Sequence, residues 1–435
     1  MMENKFVQSV MKFYFLAVAV LFYYFLTEVI NLGLFITYRH AFALVLFVSA
    51  FFAFLVKPNI ARGVSTIGGS FVYCLPLLVT VFASLFIWFV GLADTEIIFR
   101  GLSSTFVYVN MISFTLAAAA FLYIFGEKGI WYNLIAILVA NILMLLTIIA
   151  QNGVGPFFSE LITLIITFAG ETGDIIVQAE IHELAFCLGA YLIYMLLKPK
   201  KDAVFLILFA LAGFCFVAAF KRIGIIAIAV AVVMGWALQF VAKFKKDTAR
   251  WLSVFISVLL VLILIGYVGI IKLDVFALLE KIGIETSGRD IVYNAVDKFY
   301  EFHPGFLGNG IGFLTYQLST NMDVDVHAVH NDFLQYFIDL GFWGYIFWLV
   351  SMTLVRVCYF GKGGRVDNGI VALALSIYLV IVSSTDNTMN YPLLTTVLAI
   401  IMIGDGFDDK VRKTEEKMFG CVSDVNKESK GGSIL

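Results

Sequence analysis

Residues 251–271 read WLSVFISVLLVLILIGYVGII, twenty-one positions without a charged side chain. At roughly 1.5 Å per helical residue such a run covers about 30 Å, the thickness of a bilayer's hydrocarbon core. The rest of the chain repeats the pattern: 61% of its residues are hydrophobic and only 14% are charged. Further apolar runs fall near 12–32, 40–56, 70–91, 104–125, 131–150, 183–197, 203–220, 223–242, 338–358, 369–385 and 391–407. Together they predict about twelve spans. Backbone groups in lipid must be satisfied internally, so the expected fold is an all-α polytopic membrane protein. Residues 1–407 form one transmembrane helical domain in this reading, with an external loop over 272–330 and a solvated, partly disordered tail over 408–435.

The cations set the orientation. Twenty-one of the 29 Lys and Arg collect on alternate connections and at the two ends, which the positive-inside rule makes cytoplasmic, so both termini are expected inside. The first span follows Lys5 and Lys12 and is too long for a cleaved signal, which predicts an uncleaved anchor. Eight cations face out: Arg39, Arg100, Lys221, Arg222, Lys272, Lys281, Arg289 and Lys298. Three of the five cysteines, Cys74, Cys187 and Cys215, fall inside spans, with Cys358 and Cys421 on the cytoplasmic side, so no external disulfide pair is available. No basic stripe interleaved with aromatics points to nucleic acid.

The polar material concentrates in the loop between the ninth and tenth spans, too long for a passive connector. Thr286-Ser287-Gly288-Arg289-Asp290 precedes apolar residues at helical spacing, with Ser287 and Asp290 as a capping box. Arg289 would then sit in a first helical turn, where free N–H groups and a guanidinium fork suit an anion. The glycine-rich run from His303 to Gly312 lacks the Lys-Ser/Thr ending of a nucleotide loop and reads as tight turns. Asp323, Asp325 and His327 would share one face of an extended strand and could supply metal ligands, but the first reading assigns no metal and no cofactor.

The loop ends in His330-Asn331-Asp332-Phe333-Leu334-Gln335-Tyr336-Phe337-Ile338-Asp339-Leu340-Gly341-Phe342-Trp343-Gly344. In a continuous helix His330, Leu334, Phe337, Gly341 and Gly344 would form one stripe, and glycine packing would fix where His330 points. The other external segment, 151–182, carries an apolar stretch, Phe157–Ala169, too short to span. It ends at Glu180-Ile181-His182-Glu183. Lys221 and Arg222 make up most of a short external turn, so they either snorkel to lipid phosphates or face inward to an anionic substrate.

Arg222 in that turn, Arg289 after Ser-Gly, and His330-Asn331 nine residues before Gly341-x-x-Gly344 together resemble the O-antigen ligase and O-antigen polymerase family. The resemblance covers roughly residues 180–345 and the many-helix layout; the Glu180–Leu184 patch also resembles polysaccharide polymerases. Where such families often carry Ser-Arg-Ser/Thr, this chain has Lys221-Arg222-Ile223. It implies a metal-independent glycosyltransferase with a GT-C-like membrane fold in the bacterial cytoplasmic membrane, working on polyprenyl-pyrophosphate-linked glycans at the external face. The expected site has His330 and Arg289 as catalytic residues, and Arg222, Arg289 and Lys221 on the substrate pyrophosphate. Glu180, His182 and Asn331 would contact acceptor or sugar. Partners implied are the lipid-linked glycan, the bilayer, and a chain-length regulator and flippase of the same pathway. The preferred activity is polymerisation of repeat units in O-antigen, capsule or exopolysaccharide synthesis. Transfer of the finished glycan to lipid A-core or another final carrier is the alternative. A transporter of lipid-linked glycans is the reading from a different class; it needs ionisable groups near the midplane, where Glu28 is the clearest candidate.

Overall fold

The computed structural model describes residues 5–26, 48, 51–52, 54–55, 58–91, 95–167, 175–176, 182–219, 221–273, 275, 289–320, 329–362 and 365–419. Among these residues regular structure is helical throughout, as the apolar runs require. In chain order the helices are α1 (Lys5–Leu26), α2 (Ile60–Phe89), α3 (Thr95–Phe125), α4 (Gly129–Asn152), α5 (Val154–Thr167), α6 (His182–Leu197), α7 (Ala203–Ala218) and α8 (Arg222–Phe244). They continue with α9 (Lys246–Lys272), α10 (Arg289–Val296), α11 (Phe313–Thr320), α12 (Asp332–Val350), α13 (Val366–Ser383), α14 (Pro392–Gly404) and α15 (Phe407–Phe419). Among the described residues six helical stretches are long and apolar enough to cross a membrane: Ile60–Phe89, Met111–Asn152, Arg222–Phe244, Lys246–Lys272, Asp332–Phe360 and Val366–Ser383. Gly126, at φ +66, divides the second of these into α3 and α4. Five shorter apolar helices accompany them. The protein is therefore a polytopic helical membrane protein. Glu28 lies outside the described residues.

Bilayer chemistry turns the usual packing pattern inside out. On α9 the buried stripe begins Ala249, Ser253, Ser257 and Val261, while Trp251, Phe255, Leu259 and Leu262 face outward. Small residues let backbones approach, and in lipid that close packing replaces the hydrophobic drive. Ser253 and Ser257 donate their hydroxyls to the carbonyls four residues back, at 2.9 and 2.8 Å, so neither leaves an open polar group. α8 follows the same rule with Gly224, Ala227, Ala231 and Gly235 turned inward, and it packs on α13. α13 is the central helix, with nearly every residue buried against α6, α8 and α9. Buried polar groups tie the helices: Asn133 donates to the Tyr191 hydroxyl at 2.6 Å, Tyr378 to the Phe186 carbonyl at 3.0 Å, and Tyr345 to the Leu264 carbonyl at 3.1 Å.

α12 is not the continuous helix that the His330–Gly344 spacing suggested. It breaks at Gly341, where φ is 71° and ψ is −179°. The glycine-rich turn region threads into the break. Asn309 and Gly310 donate their N–H groups to the Asp339 carbonyl at 3.2 and 2.7 Å, and Phe342 donates to the Phe306 carbonyl at 2.8 Å. The Asp339 carboxylate accepts from the Gly312 and Leu314 N–H groups at 3.3 and 3.2 Å. Gly344 alone packs against a neighbouring helix, with Ala83 of α2 in contact distance of a side chain there.

Gly308, at φ +87, and Gly341 pass so closely that a Cβ on the first would overlap Gly341 N, and one on the second would overlap the Leu307 carbonyl carbon. Alanine at either position carries a backbone cost of about 1–3 kcal/mol before the clash is counted. Each substitution is expected to lower the thermal unfolding temperature of the detergent-purified protein. Wild-type melting would mean that the loop does not lock into α12.

The start of the expected disordered tail is helical: α15 packs on α2 with Phe407 and Val411 buried. Its Lys410 ammonium donates to the Ser65 carbonyl at 3.1 Å and the Tyr359 hydroxyl at 2.9 Å. The short apolar segment expected in the 151–182 region forms α5, fourteen residues with Ile162, Ile165 and Ile166 exposed.

Candidate active site

Four helix N-termini and one turn converge at one end of the bundle. Asn331 caps α12: its side-chain oxygen accepts from the Leu334 N–H at 3.2 Å. Its amide donates to the hydroxyls of Tyr267 at 3.0 Å and Tyr293 at 2.9 Å, and the residue is wholly buried. Expected to meet acceptor or sugar, Asn331 is here committed to three protein groups that fix the start of α12 to α9 and α10. That lock explains His330, which takes φ +50, the one non-glycine positive φ among the described residues. A histidine held in this sparsely populated region requires surroundings that over-determine it. Its side chain stays 61% exposed, so the imidazole is presented outward from a rigid base.

The turn between α13 and α14 supplies what faces it. His330 Nδ1 lies 3.9 Å from Asp386 Oδ1, an ion-pair separation longer than a hydrogen bond. Asp386 Oδ1 accepts from the Asn387 N–H and the Tyr391 hydroxyl, both at 2.8 Å, and Lys221 Nζ lies 3.8 Å from Asp386 Oδ2. Burial by itself would push this carboxyl up. His330, the Tyr391 hydroxyl, Lys221 and the Asn387 N–H outweigh it and hold the group at about 2. Asp386 is therefore a fixed negative charge. Lys221 also sits 5.8 Å above the Phe186 ring, whose plane stacks with Tyr391 at 6.3 Å.

Asp332 fastens the turn to α12. Its Oδ2 accepts from the Thr388 hydroxyl and the Met389 N–H, each at 3.1 Å. Glu183 adds a third tie by accepting from the Leu393 N–H at 3.4 Å. Arg289, the first residue of α10, directs a guanidinium nitrogen to the Thr385 carbonyl at 3.5 Å, next to Asp386 in the chain. Arg222 opens α8 and is exposed.

Of the residues expected from sequence, the structure thus gathers Lys221, Arg289, His330 and Asn331 around one turn, with Arg222 beside Lys221. His182 begins α6, and its side chain is outside the described residues, as are Glu180, Ser287, Asp323, Asp325 and His327. Asp386, Tyr293 and Tyr391 were not foreseen, nor was the tie that Asp332 makes to the turn. For Asp386 the signal was the polar run Ser383–Asn387 between two apolar spans, visible once acids between spans are tallied as carefully as cations.

This arrangement offers cations, an exposed imidazole and a buried carboxylate at one mouth, which suits charge stabilisation beside proton transfer. Comparison with known families agrees. Residues 184–349 match the family model Wzy_C, described as O-antigen ligase, and so carry an O-antigen ligase family domain. The matched segment takes in Lys221, Arg222, Arg289, His330 and Asn331, and stops before Asp386. No curated protein matches the chain. The match bears out the resemblance and, with the membrane helices, supports an O-antigen ligase- or polymerase-type function on lipid-linked glycans.

Proposed function

From this O-antigen ligase family domain, we propose a membrane glycosyltransferase that polymerises polyprenyl-pyrophosphate-linked oligosaccharide repeats at the external face of the bacterial cytoplasmic membrane. In this reading the chain has about twelve spans in a GT-C-like layout, with both termini inside. The observation that carries it is the cluster of Lys221, Arg289, His330 and Asp386 around the α13–α14 turn.

The acceptor hydroxyl oxygen bonds to the anomeric carbon of the donor sugar. The bond from that carbon to the pyrophosphate oxygen breaks, and its electron pair leaves with the polyprenyl pyrophosphate. Lys221, Arg222 and Arg289 stabilise the charge that develops there, in place of a divalent metal. His330 takes the hydroxyl proton, and Asp386 offsets the imidazolium that forms. Glu180 and His182 contribute to acceptor or sugar binding, and Asn331 positions His330. The donor keeps its tail in the bilayer while its pyrophosphate reaches the mouth; a chain-length regulator and a flippase of the same pathway act alongside.

Polymerase is preferred over ligase on the Glu180–Leu184 patch and the length of the external loop. A deletion strain is expected to accumulate single-repeat glycans. Full-length glycan stranded on the lipid carrier would instead assign the ligase reaction. Purified protein in vesicles with donor and acceptor is expected to form glycosidic bonds without a gradient and in the presence of a chelator. Glycan movement without new bonds would mean a transporter.

A further inference from the structure

A second site lies at the opposite end of the bundle. α9 ends at Lys272, which bonds the external-loop carbonyls of Asp297 and Tyr300, and α13 ends at Ser383 beside the candidate active site. The beginnings of α9 and α13 therefore face the other side of the membrane. Between them and the end of the α12 segment is a cavity of about 270 Å³, lined by Asp247, Arg250, Trp251, Cys358, Gly361 and Gly369 among others.

Three observations define its occupant. The first is a close helix approach beside the cavity: Gly361 and Gly369, both in its wall, touch backbone to backbone, and a Cβ on Gly369 would meet Gly361 Cα at 3.0 Å. The second is charge. Arg250 lines the cavity; Lys243, Lys245 and Lys246 lie within seven residues before it, and Arg365 immediately precedes α13, against Asp247 and Asp367. The third is what lies beneath. Trp251 and Phe255 of α9 are 72% and 62% exposed, and Val258, Leu259 and Leu262 continue the same outward apolar surface toward the membrane middle. The cavity itself holds Arg250 and Asp247, and the other cations lie in the adjoining segments; an Arg set at the end of an exposed apolar helix face matches a phosphate headgroup joined to acyl chains.

We propose that this cavity seats the headgroup of an anionic glycerophospholipid of the leaflet opposite the active site, with Arg250 on the phosphate and the acyl chains along α9. Trp251 lies where the glycerol region of such a lipid would fall, a depth that favours indole.

Cys358, an exposed thiol on the cavity wall, reports occupancy. The full chain in a Cys421→Ser background is placed in vesicles of phosphatidylcholine alone or with phosphatidylglycerol, and N-ethylmaleimide labelling of Cys358 is timed. Phosphatidylglycerol is expected to slow labelling about fivefold, the worth of one interfacial Arg. Arg250→Lys should keep that ratio, and Arg250→Glu should bring it to one. Equal labelling in the two vesicles, or the same protection in Arg250→Glu, overturns the proposal. So does equal protection by inorganic phosphate in phosphatidylcholine vesicles, which would make the cavity a site for a soluble anion.

Discussion

Alanine at His330 is expected to abolish long polysaccharide in cells and to lower turnover by the purified protein by roughly 10²–10⁴-fold, the range for losing a positioned general base. Protein level and membrane insertion should hold, because the side chain is 61% exposed and supports no packing. The backbone there sits at φ +50, so alanine also carries strain. His330→Asn separates the two effects: asparagine tolerates the left-handed region and cannot take the proton. If chemistry is the cause, His330→Asn is as inactive as His330→Ala. If His330→Asn restores wild-type chain length, the residue serves the backbone and the proposed base is wrong. Arg289→Ala makes the complementary test. It should also abolish long polymer, whereas Arg289→Lys, keeping the charge but not the fork, should retain part of the activity.

What the sequence disclosed and what it hid divide along physical lines. The long spans were legible because bilayer crossing is a one-dimensional requirement: Trp251–Ile271 states its own fate without reference to any neighbour. Helices such as α6, α7 and α14, of 16, 16 and 13 residues, satisfy less of that requirement, and their place comes from packing: α6 on α8, α7 on α4 and α6, and α14 on α3. The break in α12 was not legible. Gly341 has the spacing of a packing glycine, and only the loop some thirty residues upstream, donating to the Asp339 carbonyl, turns it into a hinge point. His330 and Arg289 stood out as rare polar groups at apolar boundaries. Asn331 stood out equally, but its role is set by Tyr267 and Tyr293, which reach it from 64 and 38 residues away. Asp386 was hidden for a related reason: an acid in a short turn between spans resembles a solvated connector until Lys221 and His330 are brought against it.

Asp386→Ala should then cost at least about a hundredfold in turnover, as when other aspartates that orient and offset a catalytic imidazole are removed. The deletion would remove the carboxylate beside Lys221, only 15% exposed, and the acceptor of the Tyr391 hydroxyl. Asp386→Asn isolates the charge, since the amide oxygen still accepts from Tyr391 and Asn387. Activity close to wild type in Asp386→Asn would mean that Asp386 is a hydrogen-bond acceptor and no more; a loss matching Asp386→Ala would establish the fixed charge. The pH dependence gives a second handle. Held at about 2, below the roughly 3.9 of an unfolded aspartate, this carboxyl stabilises the fold fully above the higher value and loses that contribution as pH falls through the lower one. Asp386 thus stays ionised across the whole range in which an imidazole titrates. Any decline in turnover between about pH 7 and 5 therefore does not come from Asp386. A decline in that range that disappears in Asp386→Asn would mean that this carboxyl takes up a proton there and is no fixed charge.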